Sequence, residues 1–382
     1  MASRTTYPVL DTRSLNRATL ARQLLLSRAE MSARDAVEHL LGLQAQNVKP
    51  PYFQLHARLA GFRPAELAGL MEAREVVRMV TMRSTIHTHT AQDARTLRPL
   101  VQPARDREVA YFRKGLVGVD LERLDACARA FVEAEPRTMG EIRQELLEHW
   151  PDADPQSLAV AARCRLPLVQ VTPRGVWGLS GQVRLTTLDT WLGPDARPDN
   201  GEARPHPGSP QTHPVDRVVL RYLRAFGPAS VKDMQTWAGL TRLREAFERL
   251  RPGLDVFQDE NGVELFDLPD AVRPDPDTPA PPRFLPEFDN LLLSHADRSR
   301  VLAPELKGRT WRGNQAYRTL LLDGFLGGLW MLDGAALTVE LFRPASKALR
   351  AQITAEAQAL LAAMTPEGAD GNGSVRFGPV GG

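Results

Sequence analysis

A recurring order of three helices and a hairpin constrains the fold of this chain more than any other feature of its sequence. The clearest copy spans residues 214–268. Apolar residues recur there at helical spacing in three segments, and Ser230 stands where it can cap the second helix. Asn261-Gly262 then separates two short strands, Leu254–Gln258 and Val263–Leu268, which is a strong signal for a β-hairpin. This order predicts a winged helix-turn-helix.

Residues 120–180 show the same order. Apolar stripes predict helices over Leu121–Ala134 and Pro155–Arg165, and between them a helix that begins at Thr138. A hairpin is expected to follow these helices. Its two strands are predicted at Leu168–Thr172 and Val176–Leu179. The segment therefore predicts a second winged helix.

A third copy is visible at residues 14–90. Helical spacing predicts helices near 15–28, 32–44 and 64–73, followed by a β-rich stretch over 76–90. Three weakly similar repeats of one unit are a stronger signal than a single copy. We therefore predict three tandem winged helix-turn-helix units in one chain.

After residue 284 strands replace helices, with one long helix predicted at Ser346–Met364. The strands are predicted at Leu291–Leu293, Ala316–Leu322, Gly328–Leu332 and Ala336–Leu341. They suggest an antiparallel, barrel-like domain over 284–365. Two segments rich in Pro, 193–213 and 269–283, are predicted to be linkers or loops. The predicted fold class is α+β and mainly helical.

Composition excludes several classes of protein. Two cysteines, Cys127 and Cys164, in 382 residues do not make a disulfide framework or a zinc array and fit a reducing cytoplasm. No signal peptide and no apolar run of membrane-spanning length is present, so we expect a cytoplasmic protein without membrane contact. The net charge of +2 neither indicates nor excludes nucleic acid. The 43 arginines against five lysines suit phosphate contacts, but a GC-rich genome produces the same bias.

Gln44-Ala45-Gln46 is the first candidate site. Val37, Leu40 and Leu41 form an apolar helical stripe, and Gln44 occupies the next position on it. If the helix ends at Ala45, Gln44 and Gln46 point the same way, and two carboxamides converge at the end of a helix. A carboxamide can hold a water through its donor and its acceptor without carrying charge. The alternative is that Gln44 sits at a frayed helix end and reaches solvent.

The second candidate is the predicted strand Val77–His89. One face carries polar residues and the other is apolar. The first face contains Met79, Thr81, Arg83, Thr85, His87 and His89. His87 and His89 could bind a metal ion, but no third ligand lies nearby in sequence, so we expect no metal. A solvated or hydrogen-bonded strand face is the alternative.

The third candidate is the run from Leu285 to Arg298, which includes Pro286-Glu287-Phe288-Asp289 and His295-Ala296-Asp297-Arg298. Asp297 and Arg298 could simply pair at the surface. The sequence has no Walker A, GxSxG, HExxH or dinucleotide-binding GxGxxG motif. The common hydrolase and nucleotide-binding classes are therefore not indicated.

At these three places the chain resembles the winged-helix alkylpurine DNA glycosylases, the AlkZ/YcaQ family. The matching stretches are Leu41-Gly42-Leu43-Gln44-Ala45-Gln46, Met82-Arg83-Ser84-Thr85-Ile86-His87, and Leu285-Pro286-Glu287-Phe288-Asp289 running into His295-Ala296-Asp297-Arg298. The Gln-x-Gln form is like the AlkZ branch, which is often linked to self-resistance in producers of DNA-alkylating antibiotics. The resemblance implies catalytic roles for Gln44 and Gln46.

This resemblance implies a monofunctional hydrolase that removes purines alkylated at N7 of guanine or N3 of adenine, with bulky adducts and interstrand crosslinks as further substrates. The substrate is double-stranded DNA, and no cofactor is implied. We expect DNA contacts from the polar residues of the other two stretches. They are Arg83, Thr85, His87, His295, Asp297 and Arg298. With no heptad seam for dimerisation, we expect a monomer.

The sequence is also compatible with two other functions. Winged helices are mostly DNA-binding regulators without catalysis, and a fold does not by itself give a function. A regulator usually binds two half-sites as a dimer. The other alternative is a protein that sequesters a toxin without cutting DNA. Formation of abasic sites on alkylated DNA separates the enzyme from both.

Overall fold

Helices and strands are both prominent in the computed structural model, which describes residues 7–193, 213–312, 315–365 and 373–380. Helices account for 48% of the described residues and strands for 18%, so the predicted mixed and mainly helical composition is confirmed. The predicted linker 193–213 lies almost entirely outside the described residues.

The described residues contain thirteen α-helices. In chain order they are α1 (Thr12–Arg22), α2 (Ala33–His39), α3 (Pro50–Arg58), α4 (Pro64–Glu72), α5 (Ala91–Tyr111), α6 (Leu121–Ala134), α7 (Met139–His149), α8 (Pro155–Arg165), α9 (Leu188–Leu192), α10 (Pro214–Phe226), α11 (Val231–Ala238), α12 (Arg244–Leu250) and α13 (Lys347–Met364).

The same part of the chain contains fifteen short strands. They are β1 (Val9–Leu10), β2 (Leu43–Gln44), β3 (Val76–Val80), β4 (Ile86–Thr90), β5 (Leu168–Gln170), β6 (Leu185–Thr187), β7 (Asp255–Asp259), β8 (Glu264–Asp267), β9 (Arg283–Leu285), β10 (Trp311–Arg312), β11 (Gln315–Ala316), β12 (Arg318–Leu322), β13 (Phe325–Asp333), β14 (Ala336–Leu341) and β15 (Ser374–Phe377).

Side chains at the residue just before several helices explain where those helices begin. Ser230 accepts a hydrogen bond from the main-chain nitrogen of Asp233 and so caps α11, as the sequence predicts. Thr138 and Glu141 form a reciprocal capping box at α7. Ser346 caps α13 by accepting a hydrogen bond from the main-chain nitrogen of Leu349. Each cap joins residues three positions apart, so the start of the helix can be predicted from the local sequence.

The region 214–268 has the predicted order of three helices and a hairpin. Strands β7 and β8 pair antiparallel, and Gly262 in the turn has a φ of +75°. Strand β1, from the N-terminal end, adds to β7 in parallel. The hairpin edge is therefore covered by another part of the chain.

In the region 120–180 the three predicted helices are present, but the predicted hairpin is wrong. Strand β5 pairs with β6, the next strand along the chain, and with β3 of the first region, which is distant in sequence. Residues 176–179 form no strand. Val176 instead packs in a core with Tyr52 and Met71, and Tyr52 donates a hydrogen bond to the Gly175 carbonyl. These contacts hold the segment away from β5.

The region 14–90 departs furthest from the prediction. The predicted helix over 15–28 ends at Arg22, and the one over 32–44 ends at His39. Helix α3 is absent from the predicted elements. It begins at Pro50, and proline is well tolerated at the first position of a helix. The predicted strand over 77–89 is two antiparallel strands, β3 and β4. Together with β2, β5 and β6 they form a five-stranded sheet.

The C-terminal unit is an open sheet in the order β15-β14-β13-β12-β9, and its described residues form no closed barrel. Strand β15 is parallel to β14, so the sheet is also not fully antiparallel. The strand predicted at Leu291–Leu293 is a 3₁₀ turn, because Asp289 caps it through the main-chain nitrogen of Leu291. A single hydrophobic core joins Phe53 of α3 with Trp330 of β13 and Ile353 of α13. The first and last predicted units are therefore packed together.

Candidate active site

Gln44 lies on strand β2, and the expectation that it ends a helix is wrong. Helix α2 ends at His39, and Leu41 and Gly42 both have positive φ, +56° and +94°, so the chain reverses before Gln44. A side chain at Gly42 would overlap the ring of His89, which reserves this position for glycine. Strand β2 then pairs with β4, with Gln44 opposite His87.

The Gln44 side chain is buried and held in one orientation. Its Oε1 accepts a hydrogen bond of 2.7 Å from Nη2 of Arg83, and its main-chain oxygen accepts one of 3.0 Å from Nε2 of Gln54. A guanidinium only donates hydrogen bonds, so the atom that faces Arg83 must be the amide oxygen. The Nε2 donors of Gln44 make no hydrogen bond to any residue that the structure describes. They remain available to a substrate or a water.

Gln46 is exposed and lies beside the same strand, β4. The ladder between β2 and β4 extends to a hydrogen bond from the Ala45 nitrogen to the Ile86 oxygen, 2.8 Å long. The next donor on β4, the Ile86 nitrogen, reaches Oε1 of Gln46 at 3.4 Å. Gln46 lies two residues after Gln44, beyond the end of β2, and its amide is bonded beside the strand that pairs with β2. Both amides are therefore anchored through oxygen.

Arg83 lies on the tight turn between β3 and β4 and not within a continuous strand. Both Arg83 and Ser84 have positive φ, +52° and +57°, which places them in the left-handed region. The Arg83 guanidinium also donates a hydrogen bond to the carbonyl of Trp237 in α11. Burial lowers the pKa of Arg83 to about 10, so the guanidinium remains charged at neutral pH. The turn thus connects Gln44 to the third helical group.

The histidines of β4 are buried inside the protein. His87 Nδ1 faces the Thr85 carbonyl at 3.0 Å, and its Nε2 faces Nη2 of Arg83 at 3.4 Å. His89 Nε2 lies 2.9 Å from Oγ1 of Thr81. Among the described residues no group of three or more His, Cys, Asp or Glu side chains could hold a metal ion. Thr85 is half-buried and donates to the Met82 carbonyl, so these polar groups stabilise the turn.

The burial of His87 and His89 predicts a loss of stability in mild acid. Burial lowers the pKa of His87 well below its ordinary value and the pKa of His89 to about 4. In the unfolded chain both titrate near pH 6.5, so below that pH the unfolded state binds more protons. Their stabilisation is complete above pH 6.5 and falls by up to about 1.4 kcal/mol per pH unit for each histidine, until the folded-state pKa is reached.

Chemical denaturation between about pH 7.5 and about pH 5 measures this slope. We expect His89→Gln to make the free energy of unfolding fall less steeply with decreasing pH, since one buried titrating ring is removed. An unchanged slope in this variant would show that His89 does not contribute to the pH dependence.

Residues 285–290 contact the segments on both sides of strand β2. Asp289 forms a fully buried ion pair with Arg58 of α3, through hydrogen bonds of 2.7 and 2.8 Å. Asn290 donates to the Gly42 carbonyl at 2.8 Å, and Glu287 accepts from Asn47 at 3.0 Å. The stretch stands out in the sequence, but its partner Arg58 does not. The contacts give it a structural role next to the glutamines.

His295, Asp297 and Arg298 are not brought to the glutamines by any hydrogen bond among the described residues. His295 is 3% exposed, and its ring nitrogens face the Phe226 carbonyl at 2.9 Å and Ser294 Oγ at 3.0 Å. The expected DNA contact therefore does not fit His295, whose ring does not reach the surface. Asp297 is exposed and accepts two hydrogen bonds from Ser299. Arg298 is half-buried and contacts the Leu292 carbonyl at 3.5 Å.

In the part of the chain that the structure describes, no helix has the length and apolar character to cross a membrane.

Comparison with known proteins agrees with this architecture. No curated protein matches the sequence. Among solved structures, the Streptomyces sahachiroi DNA glycosylase AlkZ superimposes with a TM-score of 0.76 at 20% identity, covering 97% of this chain and all of that one. At this identity the likeness shows the fold alone.

A family model provides the stronger result. The model described as "DNA glycosylase AlkZ-like" matches residues 37–363, which include both glutamines, the Arg83 turn and the Asp289 stretch. The match spans most of the chain. The protein therefore belongs to the AlkZ-like DNA glycosylase family.

Proposed function

We propose that the protein hydrolyses the N-glycosidic bond of purines alkylated at N7 of guanine or N3 of adenine in duplex DNA, with Gln44 and Gln46 as the catalytic pair. The observation that carries the proposal is that both carboxamides of the Gln-x-Gln motif are anchored through oxygen, Gln44 by Arg83 and Gln46 by the main-chain nitrogen of Ile86. Family membership supports DNA glycosylase activity in general.

The chemistry suits two neutral amides. Alkylation at these nitrogens makes the purine cationic, so it leaves readily and a strong general acid is unnecessary. What remains is to place a water and to stabilise the developing positive charge on the sugar. Each amide oxygen has two lone pairs, and Arg83 occupies one of those on Gln44. A water can donate to the remaining lone pair or accept from the free Nε2, and the amide dipoles favour the cationic sugar.

No lysine nucleophile is part of this proposal. The water attacks the anomeric carbon, the bond to the purine nitrogen breaks, and the base departs with its electron pair as a neutral alkylpurine. The water's proton passes to solvent and an intact abasic site remains. Bulky adducts, interstrand crosslinks and a role in antibiotic self-resistance are narrower forms of the same proposal.

The direct test of this function is incubation with duplex DNA that carries 7-methylguanine, followed by alkali. We expect strand cleavage at the lesion only after alkali, because the enzyme leaves an abasic site. The matched control is the same duplex with unmodified guanine. Binding without abasic sites would favour a winged-helix regulator, and protection against an alkylating agent without DNA binding would favour a sequestering protein.

DNA binding is expected to depend on salt and only weakly on sequence. We propose that the three helical groups are winged helices that bind one duplex as a monomer through arginine contacts to phosphates. With two or more phosphate contacts, affinity should fall at least about tenfold between about 50 and about 200 mM salt. Fluorescence anisotropy with duplexes of unrelated sequence measures this. A salt-independent affinity, or a strong preference for one palindrome, would support the regulator instead.

A further inference from the structure

We propose that Arg83 is a positioning residue. It bonds to the Gln44 carboxamide and to the carbonyl end of α11, fixes the orientation of that carboxamide, and does not bind DNA phosphate. This inference rests on the function proposed above. It reverses the role expected for Arg83 from the sequence, where the residue stands on a polar strand face and suggests a DNA contact.

The contacts of the guanidinium define this role. Its Nη2 donates to Oε1 of Gln44 at 2.7 Å and lies 3.4 Å from Nε2 of His87, and its Nη1 donates to the Trp237 carbonyl. These acceptors belong to β2, β4 and α11, three elements that are distant in sequence. The planar guanidinium directs its donors in fixed directions, so one side chain sets the relative placement of all three.

The carbonyl end of α11 is a suitable anchor for a cation. Trp237 is in the last turn of this helix, where carbonyls lack helical partners and carry partial negative charge. Gly239 ends the helix with a φ of +70°, and a Cβ at this position would lie 2.9 Å from the main-chain nitrogen of Arg83. The close packing of Gly239 on the turn keeps Arg83 at the helix end.

A phosphate would have to compete with these contacts. Both Nη atoms are already bonded to protein oxygens, and the side chain is half-buried. Binding a phosphate through them would leave Gln44 Oε1 and the Trp237 carbonyl without their donor, which is costly for buried acceptors. The guanidinium therefore acts on the amide of Gln44.

Loss of Arg83 should disturb catalysis through the orientation of this amide. The terminal torsion of glutamine has broad minima, so without a fixed donor the carboxamide can rotate and exchange its oxygen and nitrogen. A displacement of about 1 Å in a catalytic group can cost about 10²-fold in rate. We expect Arg83→Ala to slow single-turnover excision by about that factor at saturating DNA, with DNA affinity and its salt dependence unchanged.

Arg83→Ala, Arg83→Lys and the control Arg343→Ala test the proposal by single-turnover release of 7-methylguanine and by affinity at several salt concentrations. Arg343 is an exposed arginine of the C-terminal unit. Arg83→Lys keeps the charge but cannot bond two acceptors in fixed directions, so we expect partial recovery of the rate. The double variant Gln44→Ala/Arg83→Ala should be no slower than Gln44→Ala, because Arg83 acts through Gln44.

A phosphate contact gives a different pattern. Arg83→Ala would then weaken binding and reduce the salt slope by about 1, with an unchanged rate at saturation, and Arg83→Lys would resemble wild type. That result overturns the positioning role alone. If Arg83→Ala does not fold, Arg83→Lys decides, since only the positioning role predicts a slower rate at an unchanged salt slope. A wild-type protein that releases no alkylpurine overturns both this inference and the proposed function.

Discussion

Replacing Gln44 with alanine is expected to slow the release of 7-methylguanine by about 10²–10³-fold, while DNA affinity stays within about twofold of wild type. The loss of one well-placed polar group costs about 2.7–4 kcal/mol in comparable transition states. We expect the lower end of the range, because a cationic purine already leaves readily. Gln44→Glu keeps an oxygen for Arg83 but lacks the Nε2 donor. Its rate therefore shows whether catalysis requires the Nε2 donor in addition to the bond between the oxygen and Arg83.

Gln46→Ala is expected to reduce the rate over a similar range, since the second amide is needed to hold the same water. Gln46→Asp keeps an acceptor and adds a negative charge near the developing cation, so it should retain more activity than Gln46→Ala. The matched control is Gln352→Ala, an exposed glutamine on α13. An equal loss in Gln46→Asp and Gln46→Ala would show that the acceptor oxygen is not what Gln46 contributes.

The buried ion pair between Arg58 and Asp289 is expected to contribute strongly to the free energy of unfolding. Asp289→Asn is expected to lower the free energy of unfolding by about 3–5 kcal/mol, because it leaves the fully buried guanidinium of Arg58 without its counter-charge. Glu305→Gln, at an exposed ion pair with Arg343, should cost below about 1 kcal/mol. Chemical denaturation measures both. A cost for Asp289→Asn as small as that of the exposed pair would contradict the structural role of Asp289.

The parts of the fold that sequence predicted correctly depend on local contacts. Ser230 caps its helix through a residue three positions away, and the β7–β8 hairpin follows from Asn261-Gly262. The failed hairpin at 168–179 depends on distant contacts instead. Strand β5 pairs with β3, from the first helical group, and Val176 packs in a core that contains Trp330. No local pattern in the sequence records these partners.

The candidate site shows the same division. Helical spacing places Gln44 on a stripe with Val37, Leu40 and Leu41, yet α2 ends at His39, so only Val37 of these lies on the helix. The left-handed turn at Leu41 and Gly42 places Gln44 on a strand, and it is required by packing against His89, which the sequence does not show. The partners Arg58 and Asp289 are 231 positions apart, so pairing them needed the structure.

The catalytic role of the two glutamines is measured by single-turnover release of 7-methylguanine from duplex DNA, with wild type, Gln44→Ala and Gln46→Ala compared at saturating protein. We expect wild type to release the free base, both alanine variants to release it far more slowly, and all three proteins to bind the duplex alike. Equal release rates in the three proteins would show that the glutamines are structural. No release by wild type from 7-methylguanine or 3-methyladenine duplexes would contradict the proposed activity itself.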